Sequence, residues 1–276
     1  MAGHLARAGY RVTVYNRSAA KAARWVEAHG GAAAATPAAA ARGAQIVFSC
    51  VGNDDDLRSV TIGTDGAFAA MAPGAIFVDH TTASARVARE LHQRARAAGL
   101  HFIDAPVSGG QAGAVHGTLT AMCGGDEQPF NTAQPVIGAY SRTVTLIGAS
   151  GAGQLTKMVN QICITGIVQA LSEGLVFGEA AGLDMGKVLA AIGKGAAQSW
   201  QMDSRAATML EDRFDFGFAV DLMRKDLGLC LDEARRNGAN LPATALVDQF
   251  YGEIQALGGG RWDTSSLIRR LRRKAT

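Results

Sequence analysis

Proline is scarce in this chain, 6 residues in 276, and aromatic side chains make up only 6%. Low proline together with 48% hydrophobic content excludes a disordered, low-complexity protein, because such chains lack the apolar surface to form a core. Charge of one sign is also lacking: 27 Lys and Arg stand against 24 Asp and Glu, a formal +3. Most of that excess sits in Arg269, Arg270, Arg272, Arg273 and Lys274, read as a solvated chain end, so no broad cationic face for nucleic acid is expected. The four cysteines, Cys50, Cys123, Cys163 and Cys230, form no C-x-x-C pair and none lies at ligand spacing from the six histidines. Neither a disulfide scaffold nor a metal site is expected. Each cysteine lies in an apolar stretch where a small buried side chain is the usual role, which suits a reducing cytoplasm. With no signal peptide and no apolar run read as long enough to span a bilayer, a cytoplasmic protein without membrane attachment is expected.

Glycine is abundant, 34 of 276 residues, about 12% against roughly 7% on average. Many glycines with few prolines suit an α/β enzyme whose backbone approaches ligands and neighbouring helices closely. Short runs rich in Val and Ile recur at residues 10–15, 45–51, 75–79, 101–104, 119–123 and 143–147, and read as strands. Ala-rich segments with helical spacing, such as 19–29 and 84–98, separate them. Strand and helix alternate as in a doubly wound parallel sheet. After Gly153 the pattern turns to helices at 154–181, 185–193, 218–237 and 244–257, with no convincing strand. The expected division is a nucleotide-binding domain over residues 1–149 and an all-helical domain over 150–276. The helix from Gln154 should be roughly 40 Å long at about 1.5 Å per residue, enough to form a dimer seam.

A Rossmann domain opens with a strand, then G-x-G-x-x-G, then a helix whose N-terminus receives the pyrophosphate. Residues 1–9 followed by 10–15 read instead as first helix, turn and second strand, so the fold is expected to be a Rossmann-type sheet without its first strand and phosphate loop. After the second strand stand Asn16, Arg17 and Ser18, where an NAD enzyme usually carries an acidic residue for the ribose 2′-OH. An arginine there favours NADP, since its guanidinium can pair with the 2′-phosphate. The same arginine reads equally well as an ordinary surface side chain.

Three segments carry chemistry. After a strand, Asp104-Ala105-Pro106-Val107-Ser108-Gly109-Gly110 offers a hydroxyl and open backbone N–H groups, a cradle for a small carboxylate; a plain tight turn would also explain the glycines. Gly151-Ala152-Gly153-Gln154-Leu155-Thr156-Lys157 puts a lysine one turn inside a long apolar helix, with Asn160 and Gln161 at i+3 and i+4 on its face, able to hold the ammonium. Such a lysine can donate or accept a proton; taken alone it reads by default as one snorkelling to solvent. Lys225 and Asp226 form a basic–acidic pair in a later helix, which by itself reads as an exposed ion pair worth little.

Taken together, these segments resemble the β-hydroxyacid dehydrogenase family, which includes 3-hydroxyisobutyrate dehydrogenase, tartronate semialdehyde reductase and the glyoxylate/succinic semialdehyde reductases. D-A-P-V-S-G-G with G-T-L downstream matches from Asp104 to Leu119, G-x-G-x-x-x-K-x-x-N from Gly151 to Asn160, and K-D-L at Lys225; Asp79-His80-Thr81-Thr82 is similar to the D-x-S-T segment beside the nicotinamide ribose. The resemblance implies a Rossmann domain plus an all-helical domain with the active site in the cleft between them. It implies that Lys157 transfers the proton as hydride moves between NADP(H), or NAD(H), and a small β-hydroxy acid or semialdehyde. Asn160 or Gln161 would orient it, and Ser108, Gly109 and Gly110 would bind the substrate carboxylate. Val51 and Thr82 would flank the cofactor, Lys225 would reach it from the helical domain, and Phe218 and Asp226 would lie near the substrate. A homodimer or homotetramer is implied.

The chain departs from the family pattern at two points. The G-x-G-x-x-G loop that would precede Met1 is not in the sequence, and the usual Asn-Asn after the lysine is Asn160-Gln161. The first makes cofactor affinity the property to measure. The competing expectation is a non-catalytic dimer or scaffold that keeps the fold without nucleotide. Imine reduction on the same scaffold is disfavoured by Lys157, which that group generally lacks.

Overall fold

A computed structural model describes residues 1–272 of the chain. It forms two compact units, Met1–Lys157 and Met158–Thr276. In the first unit α1 (Ala2–Arg7), β1 (Thr13–Val14), α2 (Ala19–His29), β2 (Ala32–Ala33), α3 (Pro37–Ala41), β3 (Ile46–Ser49), α4 (Asp54–Ile62), β4 (Ile76–Asp79), α5 (Ala85–Ala97), β5 (His101–Asp104), β6 (Val107–Ser108), α6 (Gly110–His116), β7 (Leu119–Gly124), α7 (Glu127–Ile137) and β8 (Ser141–Gly148) follow one another. Then α8 (Ala152–Ala180) begins, and α9 (Met185–Ile192), α10 (Trp200–Leu210), α11 (Val220–Asn237), α12 (Pro242–Ala256) and α13 (Ile268–Leu271) complete the second unit.

The strands alternate their side chains between two helical layers, as a sheet covered on both faces requires. Phe77 and Phe102 go to one face with Leu57, Val87, Ala88, Leu91 and Ala95. Ile76, Val78 and Ile103 go to the other, with Phe130, Ala133 and Ile137 of α7. The helix α5 forms because Ser84 caps it by accepting the N–H of Val87, and its residues 87, 88, 91 and 95 fall on one stripe. Leu91 is fully buried, a contribution of about 1.5–3 kcal/mol. In the second unit α11 and α12 pack Val220, Met223 and Leu227 against Val247, Tyr251 and Ile254, with Val168 of α8.

The sheet is mixed rather than wholly parallel. β3, β4 and β5 run parallel, β7 is antiparallel to β5 and to β6, and β8 is parallel to β7. The reversal comes at Gly109 and Gly110, whose φ values of 120° and 60° turn the chain where an L side chain would be strained. The first strand expected at 10–15 is only two residues, and β1 pairs with β2 in a separate two-stranded sheet while β3 ends the path of the six-stranded one.

Four other expectations are corrected. Cys50 and Cys163 are exposed, and only Cys123 and Cys230 are buried, because hydropathy around a residue does not say which face of its element it occupies. The terminal basic run is not simply solvated: Arg269 pairs with Asp212 at 2.8 Å and stacks 4.1 Å over Trp262, Arg270 pairs with Glu253, and Arg272 with Glu179; Arg273 and Lys274 lie outside the described residues. Asp226 is not in an exposed pair but buried. The 29-residue α8 is, by length and composition, able to cross a membrane, contrary to the sequence reading, because its polar residues are spread one per turn. Those residues, Gln154, Lys157, Gln161, Thr165, Gln169 and Ser172, are buried along one stripe of the helix, the pattern of a helix whose partners are protein groups.

Candidate active site

The carboxyl ends of parallel strands gather the sequence-predicted residues of the first unit, as an open α/β sheet leads one to expect. Beyond β3 come Val51 and Gly52; beyond β4 come Thr81 and Thr82; beyond β5 the chain reaches Ser108, Gly109 and Gly110. Asp79 organises the first two turns. Its Oδ1 accepts the hydroxyls of Ser49 and Thr81, both at 2.6 Å, and the N–H of Thr81 at 3.1 Å. The Thr81 hydroxyl oxygen in turn accepts the N–H of Val51 at 3.0 Å. The other carboxyl oxygen, Oδ2, is buried with no hydrogen-bond partner among the described residues. Burial pushes the Asp79 pKa up to about 7, against the opposing hydrogen bonds from Ser49 and Thr81, so the group is largely a neutral acid near pH 6.

Behind these turns His80 is held neutral. Its Nδ1–H donates to the carbonyl of Ala105, and its Nε2 accepts the Tyr140 hydroxyl, each at 2.6 Å; the carbonyl can only accept, which fixes the tautomer. Burial lowers the His80 pKa to about 4 and raises that of Tyr140. The pair therefore fastens the ends of β4 and β5 to the strand-preceding turn at Tyr140 and carries no charge.

Asp104 holds the start of α8. Its Oδ1 accepts the N–H of Gly151 at 2.7 Å and its Oδ2 that of Gln154 at 3.0 Å, so it serves as an N-terminal cap brought from β5 rather than from the preceding residue. Burial raises its pKa to about 6, opposed by those two N–H groups. At Gly153 a Cβ would lie 2.3 Å from the carbonyl oxygen of Met122, so the helix start is pressed onto β7. One turn further on stands Lys157, 7% exposed. A lysine this buried, between Gln154 and Gln161 on one helix face, is not snorkelling to solvent.

Further along α8, Asn160 Nδ2 donates to Gln161 Oε1 at 2.8 Å, and Gln161 Nε2 donates to Asp226 Oδ2 at 2.7 Å. Asp226 Oδ1 receives the Lys225 ammonium at 3.0 Å. The sequence named all four residues; that Gln161 is tied to Asp226 it did not show. Phe218 is half-buried on the α11–α12 core, its N–H donating to Asp263 at 2.9 Å. The residues that sequence reasoning missed are Ser49, His80, Asp104 as a cap, Tyr140 and Gln154, all of them polar groups paired across long sequence separations.

Two groups of residues bear on the fit of a dinucleotide. The turns after β3 and β4 are preset by the Asp79 network and suit the nicotinamide and its ribose. Asn16, Arg17 and Ser18 are exposed at the end of β1, where the Asn16 side chain accepts the Ser18 N–H at 2.9 Å and Arg17 pairs with Asp56 at 3.1 Å. No group of metal-ligating side chains occurs among the described residues.

Comparison with known proteins gives a consistent result. The family described as the NAD binding domain of 6-phosphogluconate dehydrogenase matches residues 1–148, and that described as the NAD-binding domain of NADP-dependent 3-hydroxyisobutyrate dehydrogenase matches residues 151–271. The chain is 63% identical to an uncharacterized oxidoreductase of Shewanella frigidimarina, over 98% of this chain and 93% of the relative. It is 32% identical to 2-hydroxy-3-oxopropionate reductase of Escherichia coli, over 98% and 92%. Among solved structures, 3-hydroxyisobutyrate dehydrogenase of Mycobacterium tuberculosis with L-serine superposes with a TM-score of 0.88 at 31% identity, covering 99% of this chain and 94% of that one.

Proposed function

The chain belongs to the β-hydroxyacid dehydrogenase family and is an NAD(P)-dependent hydroxyacid oxidoreductase, and from that premise we propose that it interconverts a small β-hydroxy acid and its semialdehyde with NADP(H). The substrate is of the 3-hydroxyisobutyrate or 2-hydroxy-3-oxopropionate type, on the strength of the names its relatives carry. The observation that carries the reading is Lys157, buried on a helix whose first turn is capped by Asp104.

The nicotinamide, when bound, supplies or takes up the hydride. Lys157 donates a proton to the substrate carbonyl oxygen in reduction and removes it from the hydroxyl in oxidation. Asn160 and Gln161, on the next turn of α8, orient that side of the helix. Ser108, Gly109 and Gly110 bind the substrate carboxylate through a hydroxyl and backbone N–H groups. Val51 and Thr82 contact the cofactor ribose, with Asn16, Arg17 and Ser18 at the adenosine end, where the exposed guanidinium favours the extra phosphate of NADP. Lys225 is assigned as a cofactor contact, and Phe218 and Asp226 as substrate contacts. The outward stripe of α8, with Val159, Ile167 and Phe177 exposed, is proposed as a seam between two copies, in a homodimer or homotetramer.

Lys157→Ala should lower turnover by about 10²–10⁴, the usual scale of general acid–base catalysis, with circular dichroism and melting unchanged; a variant that turns over at the wild-type rate would refute the assignment. Calorimetric titration with NADPH and NADH checks the cofactor. Saturable NADPH binding excludes a scaffold without nucleotide, and preference for NADH would overturn the role given to Arg17.

A further inference from the structure

Gln154 has a carboxamide that is spent entirely on one turn of backbone. Its Oε1 accepts the N–H of Ala83 at 3.0 Å and its Nε2 donates to the carbonyl of Thr81 at 2.7 Å. These two groups flank Thr82. The bonds span 71 and 73 residues of sequence, so they tie that turn to the distant start of α8. The side chain is 1% exposed. An amide is the side chain that donates and accepts at the same end, so Gln meets both backbone groups at once where Glu or Leu would leave one or both unmet.

The other end of this residue is equally fixed. Its own N–H goes to Asp104, and the close approach of Gly153 to Met122 and Asp104 backbone oxygens stops the helix from sliding. Lys157 follows three residues later, about one helical turn or 4.5 Å along the axis. We infer that Gln154 is a positioning residue, which fixes the turn bearing Thr82 at a set distance from the helix bearing Lys157. This rests on the roles given above to Lys157 and Thr82. Without the clamp the turn is free to shift against the helix, and a misplacement of about 1 Å at a reacting pair costs on the order of 10²-fold in rate.

The test uses Gln154→Leu, Gln154→Glu and Lys157→Ala in the full chain. In the ligand-free protein, amide hydrogen exchange of the segment at 81–84 should accelerate about tenfold or more in Gln154→Leu, since the Ala83 N–H loses its acceptor. In turnover, kcat should fall roughly ten- to hundredfold while KM for the hydroxy acid changes less than about twofold. Gln154→Glu carries the sharper signature. Its carboxylate faces the Thr81 carbonyl at neutral pH, but once protonated its O–H donates there again, so its kcat relative to wild type should rise as pH falls. The ratio is taken per folded molecule, with the folded fraction measured at each pH, because a brace that only holds the fold together would restore folded protein as pH falls without raising the rate of each folded molecule. Wild-type exchange in the segment, or a Gln154→Glu ratio that stays flat with pH, overturns the inference, and the second arm decides even if Gln154→Leu does not fold. If Lys157→Ala keeps its turnover, the reading of Lys157 falls instead, and the exchange experiment still reports on the clamp by itself.

Discussion

Replacing Asp79 by Asn should make the protein's stability less dependent on pH, by an amount that can be worked out from its surroundings. The carboxyl is fully buried, one oxygen accepts three hydrogen bonds and the other accepts none. Burial raises its pKa from 3.8 to about 7. A carboxyl whose folded pKa is raised contributes stability that is complete below the unfolded pKa and is lost as pH climbs through the folded one. For Asp79 that window runs from near pH 4 to near pH 7. Three pH units at about 1.4 kcal/mol each give roughly 4 kcal/mol lost by the wild type across the window. Asn has the shape of the protonated acid and keeps the Oδ1 acceptor, so it escapes this loss; its NH₂ without an acceptor adds an offset of about 1–3 kcal/mol that does not vary with pH. Asp104, also raised, titrates in both proteins, and because its charge contributes to the Asp79 shift it cancels only in part. The assay is urea unfolding of both proteins at fixed ionic strength from pH 4.5 to 8.5. The stability of the variant minus that of the wild type should rise by several kcal/mol up to about pH 7 and then level off. Two parallel curves would mean that Asp79 titrates normally, and the account of its burial would be wrong.

Arg17→Glu should lower the ratio of kcat/KM for NADPH to that for NADH by about tenfold or more, because a carboxylate repels the 2′-phosphate that a guanidinium would bind; steady-state kinetics with both cofactors checks it, and an unchanged ratio removes Arg17 from the site. The same change should leave stability within about 0.5 kcal/mol, since the Arg17–Asp56 pair is exposed on the arginine side. Phe177→Glu places a charge on the outward stripe of α8, where Phe177 is 74% exposed. Light scattering should then show a smaller assembly than the wild type, and an unchanged mass would refute the proposed seam on α8.

Much of the architecture could be read from the sequence because its signals are local. The helix expected at 154–181 is observed at Ala152–Ala180, and the strand expected at 101–104 is His101–Asp104. Helix α10 at Trp200–Leu210 was missed, although Ser199 caps it by accepting the Met202 N–H; its cap was visible, but only Gln201, Met202, Ala206 and Met209 are buried, too weak a stripe to announce itself. The direction of β7 was not legible, because an apolar run looks the same whichever way its neighbour points. Of the candidate site residues, the sequence supplied Lys157, Asn160, Gln161, Ser108 and Lys225 as members of motifs. It could not supply Gln154 with Thr81, or His80 with Tyr140, because a buried polar side chain acquires its meaning from a partner that only topology brings near.

The position of β3 at the end of its sheet has a colloidal consequence. Its four residues, Ile46, Val47, Phe48 and Ser49, carry no charge and no proline, two of the devices by which edge strands discourage pairing with other molecules. An apolar, uncharged edge is a template for main-chain association between copies, limited here by the strand's four residues, and a net charge of only +3 offers little long-range repulsion against it. To the extent that this row of backbone amides sets how concentrated a solution stays clear, clarity should respond to low, non-denaturing urea more than to changes in salt.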